Sequence, residues 1–352
     1  MRIAIVNDLR TATEVLRRVV YSHSDYSVAW TAANGEEAVR QCEKDPPDCI
    51  LMDLLMPGMN GAEATRQIMQ HFPCPILVVT ATVAGNYSLV CEALGYGAFD
   101  AVSTPVLGNL PPAQAGAPLL AKLTHVDKIR SRIDAQAESS TPPIPVAKHL
   151  QGEISQLQLV AIGASTGGPN ALQTILSKWP KDFPASVIIA QHISADFADP
   201  LAAWLSNHCQ LTVRTARDGD RPQAGVVLVA GTDDHLVMRP DGVFIYTKDP
   251  IDNPFRPSVD VLFKSLARHW LRPSIAVLLT GIGQDGASGL LDLRRGGWHT
   301  IAQDQRTSVV YGMPQAASQL NAAVQVLPVG EIGIDIAARV KNLVHRKTVT
   351  GK

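Results

Sequence analysis

Short continuous apolar runs and longer amphipathic stretches take turns along the first third of this chain. Residues 3–6, 28–32, 49–52, 76–79 and 99–103 form the runs, and residues 13–20, 35–42, 62–71 and 86–94 place apolar side chains three and four positions apart. A short apolar run bounded by polar residues reads as a buried strand; three-to-four spacing reads as one face of a helix. Their regular alternation predicts a parallel, doubly wound α/β sheet over residues 1–106.

The pattern changes at residue 107. Six prolines fall between 107 and 154: Pro111, Pro112, Pro118, Pro142, Pro143 and Pro145. Among them Leu119, Leu120, Leu123, Val126, Ile129 and Ile133 recur at helical spacing. This stretch reads as a Pro-rich linker with one amphipathic helix that docks on a neighbouring surface. From 155 to 346 the α/β pattern returns, with strands expected at 157–162, 186–190, 226–230, 275–280 and 300–302. Residues 243–246, after Asp241-Gly242, read as one arm of a small hairpin.

Composition narrows the function classes. At 352 residues there is room for two domains of roughly 100–200 residues each. Charged residues are 18% and hydrophobic residues 46%, which excludes a charge-rich disordered chain. A net charge of −1 offers no basic field to nucleic acid or an anionic membrane, and 5% aromatic content offers no stacking platform for bases. Five cysteines with no C-x-x-C pair suggest neither a disulfide framework nor a zinc knuckle, but reduced thiols in a cytoplasmic protein. No apolar run reaches the roughly 18 residues of a membrane span, and the run after Met1 is too short for a signal peptide.

Polar residues sit where strands end. Asp8 closes the first strand and Asp53 the third, which in a doubly wound sheet places both in the crevice at the carboxyl ends. Two carboxylates there can hold Mg²⁺, and a metal-bound Asp53 can accept a phosphoryl group. Thr80, at the end of the fourth strand, can donate a hydroxyl to it. Helix or loop capping is the plainer role for such aspartates.

In the second half the strand at 157–162 runs into Gly163-Ala164-Ser165-Thr166-Gly167, a G-x-S-x-G arrangement before a helix expected at 171–176. The next strand ends in Gln191-His192, and the strand at 275–280 ends in Gly281-Ile282-Gly283-Gln284-Asp285-Gly286. All three polar residues then meet at the carboxyl edge of the sheet. His192 would take the Ser165 proton, and Asp285 would fix the His192 tautomer and stabilise its imidazolium. The chain order Ser…His…Asp departs from the α/β-hydrolase order. Backbone N–H groups of the Gly-rich turns, Gly283 among them, are the natural oxyanion donors.

Two other classes compete. Residues 281–286 also match G-x-G-x-x-G after a strand, with Asp304 placed 18 residues past Gly286 to bind a ribose; an NAD-linked oxidoreductase is the reading from another enzyme class. A phosphorylation-dependent binding module without catalysis is the third. His235, after Asp233-Asp234, reads as a solvated loop residue, since no second metal ligand has fitting spacing.

The run Asp53-Leu54-Leu55-Met56-Pro57-Gly58-Met59-Asn60-Gly61 resembles the phosphorylation loop of response-regulator receiver domains. The resemblance implies a flavodoxin-like fold, Asp53 as phosphoacceptor, and Asp8 and the Leu55 carbonyl as further Mg²⁺ ligands. The chain departs from that pattern at Asn7, where an acid is usual, at Thr104, where Lys is usual, and at Ala101, where an aromatic switch residue is usual. Farther on, the segments 163–169, Gln191-His192, Asp218-Gly219-Asp220, 256–260, 280–286, Ala302-Gln303-Asp304 and 309–314 recur in the order seen in chemotaxis protein-glutamate methylesterases. That resemblance implies Ser165 as nucleophile, His192 as base, Asp285 as orienting acid and Thr166 in the site wall. It also implies a methylated chemoreceptor as substrate, methanol as product, deamidation of receptor glutamines in some members, and a histidine kinase as phosphodonor. The ending Ser103-Thr104-Pro105 resembles the Wsp-type branch, tied to surface sensing. The expected organisation is a receiver at 1–106, a linker at 107–154 and an esterase domain at 155–346.

Overall fold

The apolar runs at 3–6, 49–52 and 76–79 become strands buried on both faces, as a parallel sheet between helical layers requires, while the run at 28–32 becomes a half-exposed edge strand. The structure is a computed structural model and describes residues 1–81, 87–135, 157–270, 272 and 274–350. The chain divides into two units, Met1–Ala137 and Glu138–Lys352.

The first unit runs β1 (Arg2–Val6), α1 (Arg10–Tyr21), β2 (Ser27–Ala32), α2 (Gly35–Lys44), β3 (Cys49–Met52), α3 (Gly61–His71), β4 (Ile76–Thr80), α4 (Tyr87–Tyr96), β5 (Asp100–Ser103), α5 (Pro112–Ala115) and α6 (Ala117–Ala135). Its sheet has the order β2-β1-β3-β4-β5 with every pair parallel. This is the flavodoxin-like order expected. Asn34 and Asn60 cap α2 and α3 by accepting from the N–H of Glu37 and Glu63. Asn86, expected to start α4, lies outside the described residues.

The amphipathic helix belongs to the first unit rather than to a linker, so that unit extends past residue 106. Leu119 and Leu123 of α6 share a fully buried core with Ile3, Leu16, Val19 and Leu77. Burying such side chains is worth about 1.5–3 kcal/mol each, enough to hold the helix on its own sheet. Lys122 pairs with Asp100 of β5, and the Tyr26 and Thr124 hydroxyls lie 3.3 Å apart. The side chains of Ile129 and Ile133, and the linker with Pro142, Pro143 and Pro145, lie outside the described residues.

The second unit runs β6 (Gln158–Ala164), α7 (Gly168–Leu176), β7 (Ala185–Gln191), α8 (Ala195–Asn207), β8 (Thr212–Thr215), β9 (Val226–Val229), β10 (His235–Met238), β11 (Phe244–Thr247), α9 (Val259–His269), β12 (Ile275–Leu278), α10 (Ala287–Arg295), β13 (His299–Gln303), α11 (Met313–Gln319), β14 (Gln325–Leu327) and α12 (Val329–Thr350). Its seven-stranded sheet has the order β14-β13-β12-β6-β7-β9-β8, all parallel, and β10 and β11 form a separate antiparallel hairpin. The chain leaves β6 toward β7 on one side and later returns to β12 on the other. That reversal is the topological switch point, where ligands bind beyond the carboxyl ends of the strands. Among the described residues no helix is long and apolar enough to cross a membrane.

Candidate active site

The switch point brings three polar residues together. β12, β6 and β7 are neighbours, and their register pairs Leu278 with Gly163 and Ala164 with Gln191. Ser165 therefore leaves β6 beside His192 leaving β7, while the loop after β12 carries Asp285. The His192 N–H donates to the Ala164 carbonyl and the Ser165 N–H to the Thr280 carbonyl, both at 3.0 Å, which ties the three strand ends together.

His192 Nε2 lies 2.7 Å from Asp285 Oδ2. Asp285 also accepts from the Ser258 hydroxyl at 2.8 Å, the Val259 N–H at 2.6 Å and the Asp260 N–H at 3.2 Å. Two of these donors open α9, so a helix N-terminus faces the carboxylate. Burial works to raise the Asp285 carboxyl, but the bonds from His192, Ser258 and Val259 outweigh it and hold it below the ordinary carboxylate range. Asp260 behaves oppositely: burial, and then the charge of Asp285, push it up to about 6. With Nε2 turned to Asp285, His192 presents Nδ1 as its free lone pair. The Phe255 ring stacks on the imidazole at 4.4 Å between centroids and 12° between planes.

Six buried side-chain polar atoms lack a hydrogen-bond partner among the described residues, and four of them are Ser165 Oγ, Thr166 Oγ1, Gln191 Oε1 and His192 Nδ1. An unpaired buried polar atom costs about 1–3 kcal/mol. Four on adjoining residues mark a place built for something other than stability. The unpaired Ser165 hydroxyl and the unpaired His192 Nδ1 are complementary as proton donor and acceptor.

The turns around the serine are held from behind. The Thr280 hydroxyl donates to the Thr166 carbonyl at 2.8 Å and accepts from the Val310 N–H at 3.0 Å. Gln191 Nε2 donates to the Ser165 carbonyl at 2.9 Å. At Gly281 an added Cβ would lie 2.6 Å from Ser165 Cβ and 2.3 Å from Met313 Sδ, so only glycine lets the turn after β12 pass this close to the serine.

The same contacts account for the G-x-G-x-x-G match without a dinucleotide. At Gly286 (φ +90°) a Cβ would meet Val259 and Leu278, Asp285 is filled by internal donors, and Asp304 accepts from the N–H and hydroxyl of Thr307. Titration with NAD or NADP is expected to give no saturable binding; a micromolar isotherm would restore the oxidoreductase reading.

His235 is not the solvated loop residue expected. It opens β10, is fully buried, and uses both ring nitrogens: Nδ1 accepts from the Ser258 N–H at 3.2 Å and Nε2 donates to the Pro250 carbonyl at 3.3 Å. Ser258 and Phe255 were not singled out as individual site residues from the sequence. The signal for Ser258 was its place in the motif at 256–260; Phe255, one residue outside that motif, gave none.

At the carboxyl edge of the first sheet, Asp53 is half-buried beside exposed Asp8. Burial raises the Asp53 carboxyl, the Leu54 and Leu55 N–H groups pull it back, and the Asp8 charge pushes it up again. Asn7 Nδ2 donates to Asp53 Oδ2 at 3.1 Å and Asn7 Oδ1 accepts from the Leu9 N–H at 2.8 Å, so the amide takes a position beside the aspartate without adding charge. Thr80 is buried, the Thr104 N–H donates to its carbonyl at 3.0 Å, and Ala101 is wholly buried in β5. Two carboxylates and backbone oxygens suit a hard cation such as Mg²⁺.

The sequence matches the family described as CheB methylesterase over residues 160–336 and the response regulator receiver domain over residues 3–109. A protein-glutamate methylesterase/protein-glutamine glutaminase of Burkholderia orbicola is 48% identical over 341 residues, covering 97% of this chain and 98% of that protein. The corresponding protein of Bordetella avium is 48% identical over 332 residues, covering 94% and 95%. The crystal structure of the Thermotoga maritima CheB methylesterase catalytic domain aligns with a TM-score of 0.50 at 36% identity, covering 53% of this chain and 99% of that one. A receiver unit, a parallel α/β unit with a serine, a histidine and an aspartate at its switch point, and near-full-length similarity together place the chain in the CheB family of protein-glutamate methylesterases.

Proposed function

We propose that the protein hydrolyses γ-glutamyl methyl esters on chemoreceptor cytoplasmic helices, under control of phosphorylation of its receiver, and so serves sensory adaptation in the cytoplasm. The unpaired Ser165 hydroxyl and the unpaired His192 Nδ1, on adjoining strand ends and with Asp285 fixed behind the ring, carry this reading. Ser165 Oγ attacks the ester carbonyl carbon as His192 Nδ1 takes its proton. The tetrahedral intermediate collapses, the C–O bond to the methoxy group breaks, and His192 returns the proton to release methanol. Water, deprotonated by the same nitrogen, then cleaves the glutamyl-serine ester to leave glutamate. Because the Ser165 N–H is engaged by Thr280, the oxyanion falls to N–H groups farther along the two turns, at Thr166 and Gly283. The names of the relatives extend the same chemistry to glutamine side chains, with ammonia as leaving group. Methanol release from a methylated receptor, measured with the purified full chain, tests the proposal; a folded protein that releases none would refute it.

In the receiver, Asp53 is the phosphoacceptor, supplied by a histidine kinase. Asp8, Asp53 and the Leu55 carbonyl would hold Mg²⁺, which when bound offsets negative charge at the phosphoryl oxygens. Thr104 supplies no ammonium to the phosphoryl group and Ala101 no ring to reorient. One missing charged hydrogen bond is worth about 1.5–3 kcal/mol, and a ligand shifts an equilibrium only by its differential interaction with the two states. Activation of the esterase by a small-molecule phosphodonor is therefore smaller than in relatives that carry the lysine. Asp53→Asn abolishes it and Thr104→Lys enlarges it. Activation that survives Asp53→Asn would overturn the assignment. The Ser103-Thr104-Pro105 ending supports the surface-sensing branch as the output.

A further inference from the structure

We infer that His235 is a positioning residue for catalysis, a neutral clamp that closes the loop 250–258 and thereby sets Phe255 against His192 and Ser258 against Asp285. The inference rests on the Ser165, His192 and Asp285 assignments above.

The loop leaves the hairpin after β11 and returns at the first turn of α9. His235 bonds both of its ends, the Pro250 carbonyl through Nε2 and the Ser258 N–H through Nδ1. Within it, the Asn253 N–H donates to the Pro250 carbonyl, the Phe255 N–H to Asn253 Oδ1, and the Arg256 guanidinium to the Ile251 carbonyl. The loop is thus internally braced, and its position relative to the sheet depends on its ends. The loop also reaches the working groups: Phe255 stacks on the imidazole and Ser258 donates to Asp285. A fully buried histidine that spends both nitrogens on two carriers of the site is more than core filling. One imidazole can do this only as the neutral tautomer with its proton on Nε2, because Nδ1 must accept from a backbone N–H.

Protonation would put a second N–H against that of Ser258 and break the clamp. Burial disfavours a charge on His235 and Arg256 adds to it, while the Pro250 carbonyl, Asp285 and Asp234 favour one. Burial prevails, so the ring stays neutral at and above its ordinary range and the clamp is closed at neutral pH.

The variants that separate the two bonds are His235→Asn, whose Oδ1 can stand in for Nδ1, and His235→Gln, whose amide nitrogen can stand in for Nε2. With folding verified by thermal melting, kcat for methanol release is expected to fall about tenfold to a hundredfold in His235→Gln, the scale of a misplacement of about 1 Å, with KM little changed. His235→Asn, which keeps the bond to the Ser258 N–H and loses the one to Pro250, recovers part of that loss. The acid limb of kcat against pH is one proton steeper in the wild type than in His235→Asn, because the variant has no ring to protonate at the clamp. His235→Gln and Ser258→Ala combine less than additively, because both act through the same support of Asp285. Equal rates in the Asn and Gln variants, or a wild-type rate in the Gln variant, would overturn the inference. Ser165→Ala is measured alongside. If it is inactive while His235→Gln turns over normally, this inference alone falls; if Ser165→Ala is fully active, the assignments beneath it fall as well.

Discussion

Ser165→Ala lowers methanol release by about 10⁴–10⁶-fold while leaving the fold intact. The size follows from what is removed. Without the hydroxyl there is no covalent intermediate, and what remains is the oxyanion donors and binding. The fold survives because Ser165 Oγ has no partner to lose. Alanine also fits the space, since Gly281 approaches Ser165 at its Cβ, which the variant retains. Deleting a buried polar atom that is unpaired should leave the melting temperature equal or slightly raised, by the removal of an uncompensated desolvation cost. His192→Ala gives a loss of similar size, and the double variant is little worse than either single one, because nucleophile and base act as one unit. Turnover by methylated-receptor assay and melting by circular dichroism check both halves. A folded Ser165→Ala protein within tenfold of the wild type would remove the nucleophile assignment.

The parts legible in the sequence are those where strand and chemistry are adjacent in the chain. Ser165 and His192 directly follow β6 and β7, and Asp285 lies in the turn after β12, so the rule for carboxyl ends locates all three without knowledge of packing. Asp8 and Asp53 were legible for the same reason. The supports of the site were not. Ser258 reads locally as the N-cap of α9, and it does accept from the Val261 N–H, but its bond to Asp285 exists only because α9 packs beside α10. His235 lies in a short hairpin strand, whose sequence neighbours Asp233 and Asp234 argue for solvent; its burial comes from the loop 250–258 and from Ser258, remote in sequence. The helix α6 shows the converse. Its apolar spacing was plain, but nothing local to 107–135 says which surface receives Leu119 and Leu123. Strands β8 and β14 sit at the sheet edges, where three or four partly exposed residues leave little apolar signal.

Asp285→Asn is expected to lower kcat by about 10⁴-fold, the scale seen when the acid of such a triad becomes an amide. All four groups that face the Asp285 carboxylate are donors: His192 Nε2, the Ser258 hydroxyl, and the N–H groups of Val259 and Asp260. An amide brings two hydrogens into this set, whichever way it turns. If its nitrogen faces His192, the imidazole must carry its proton on Nδ1, and the base toward Ser165 is lost. If its oxygen faces His192, the NH₂ group meets Ser258, whose hydroxyl can reverse, and the Asp260 N–H, which cannot. In both orientations the negative charge that stabilises the imidazolium is gone from a buried site. Ser258→Ala costs far less, about tenfold, because three donors still hold the carboxylate. The ordering separates charge from mere positioning: an acid needed only as a brace would make Asp285→Asn and Ser258→Ala similar. Rates of methanol release for the two variants, measured at one pH with substrate saturating, decide the matter, and equal losses would sink the assignment of Asp285 as the charge that stabilises His192.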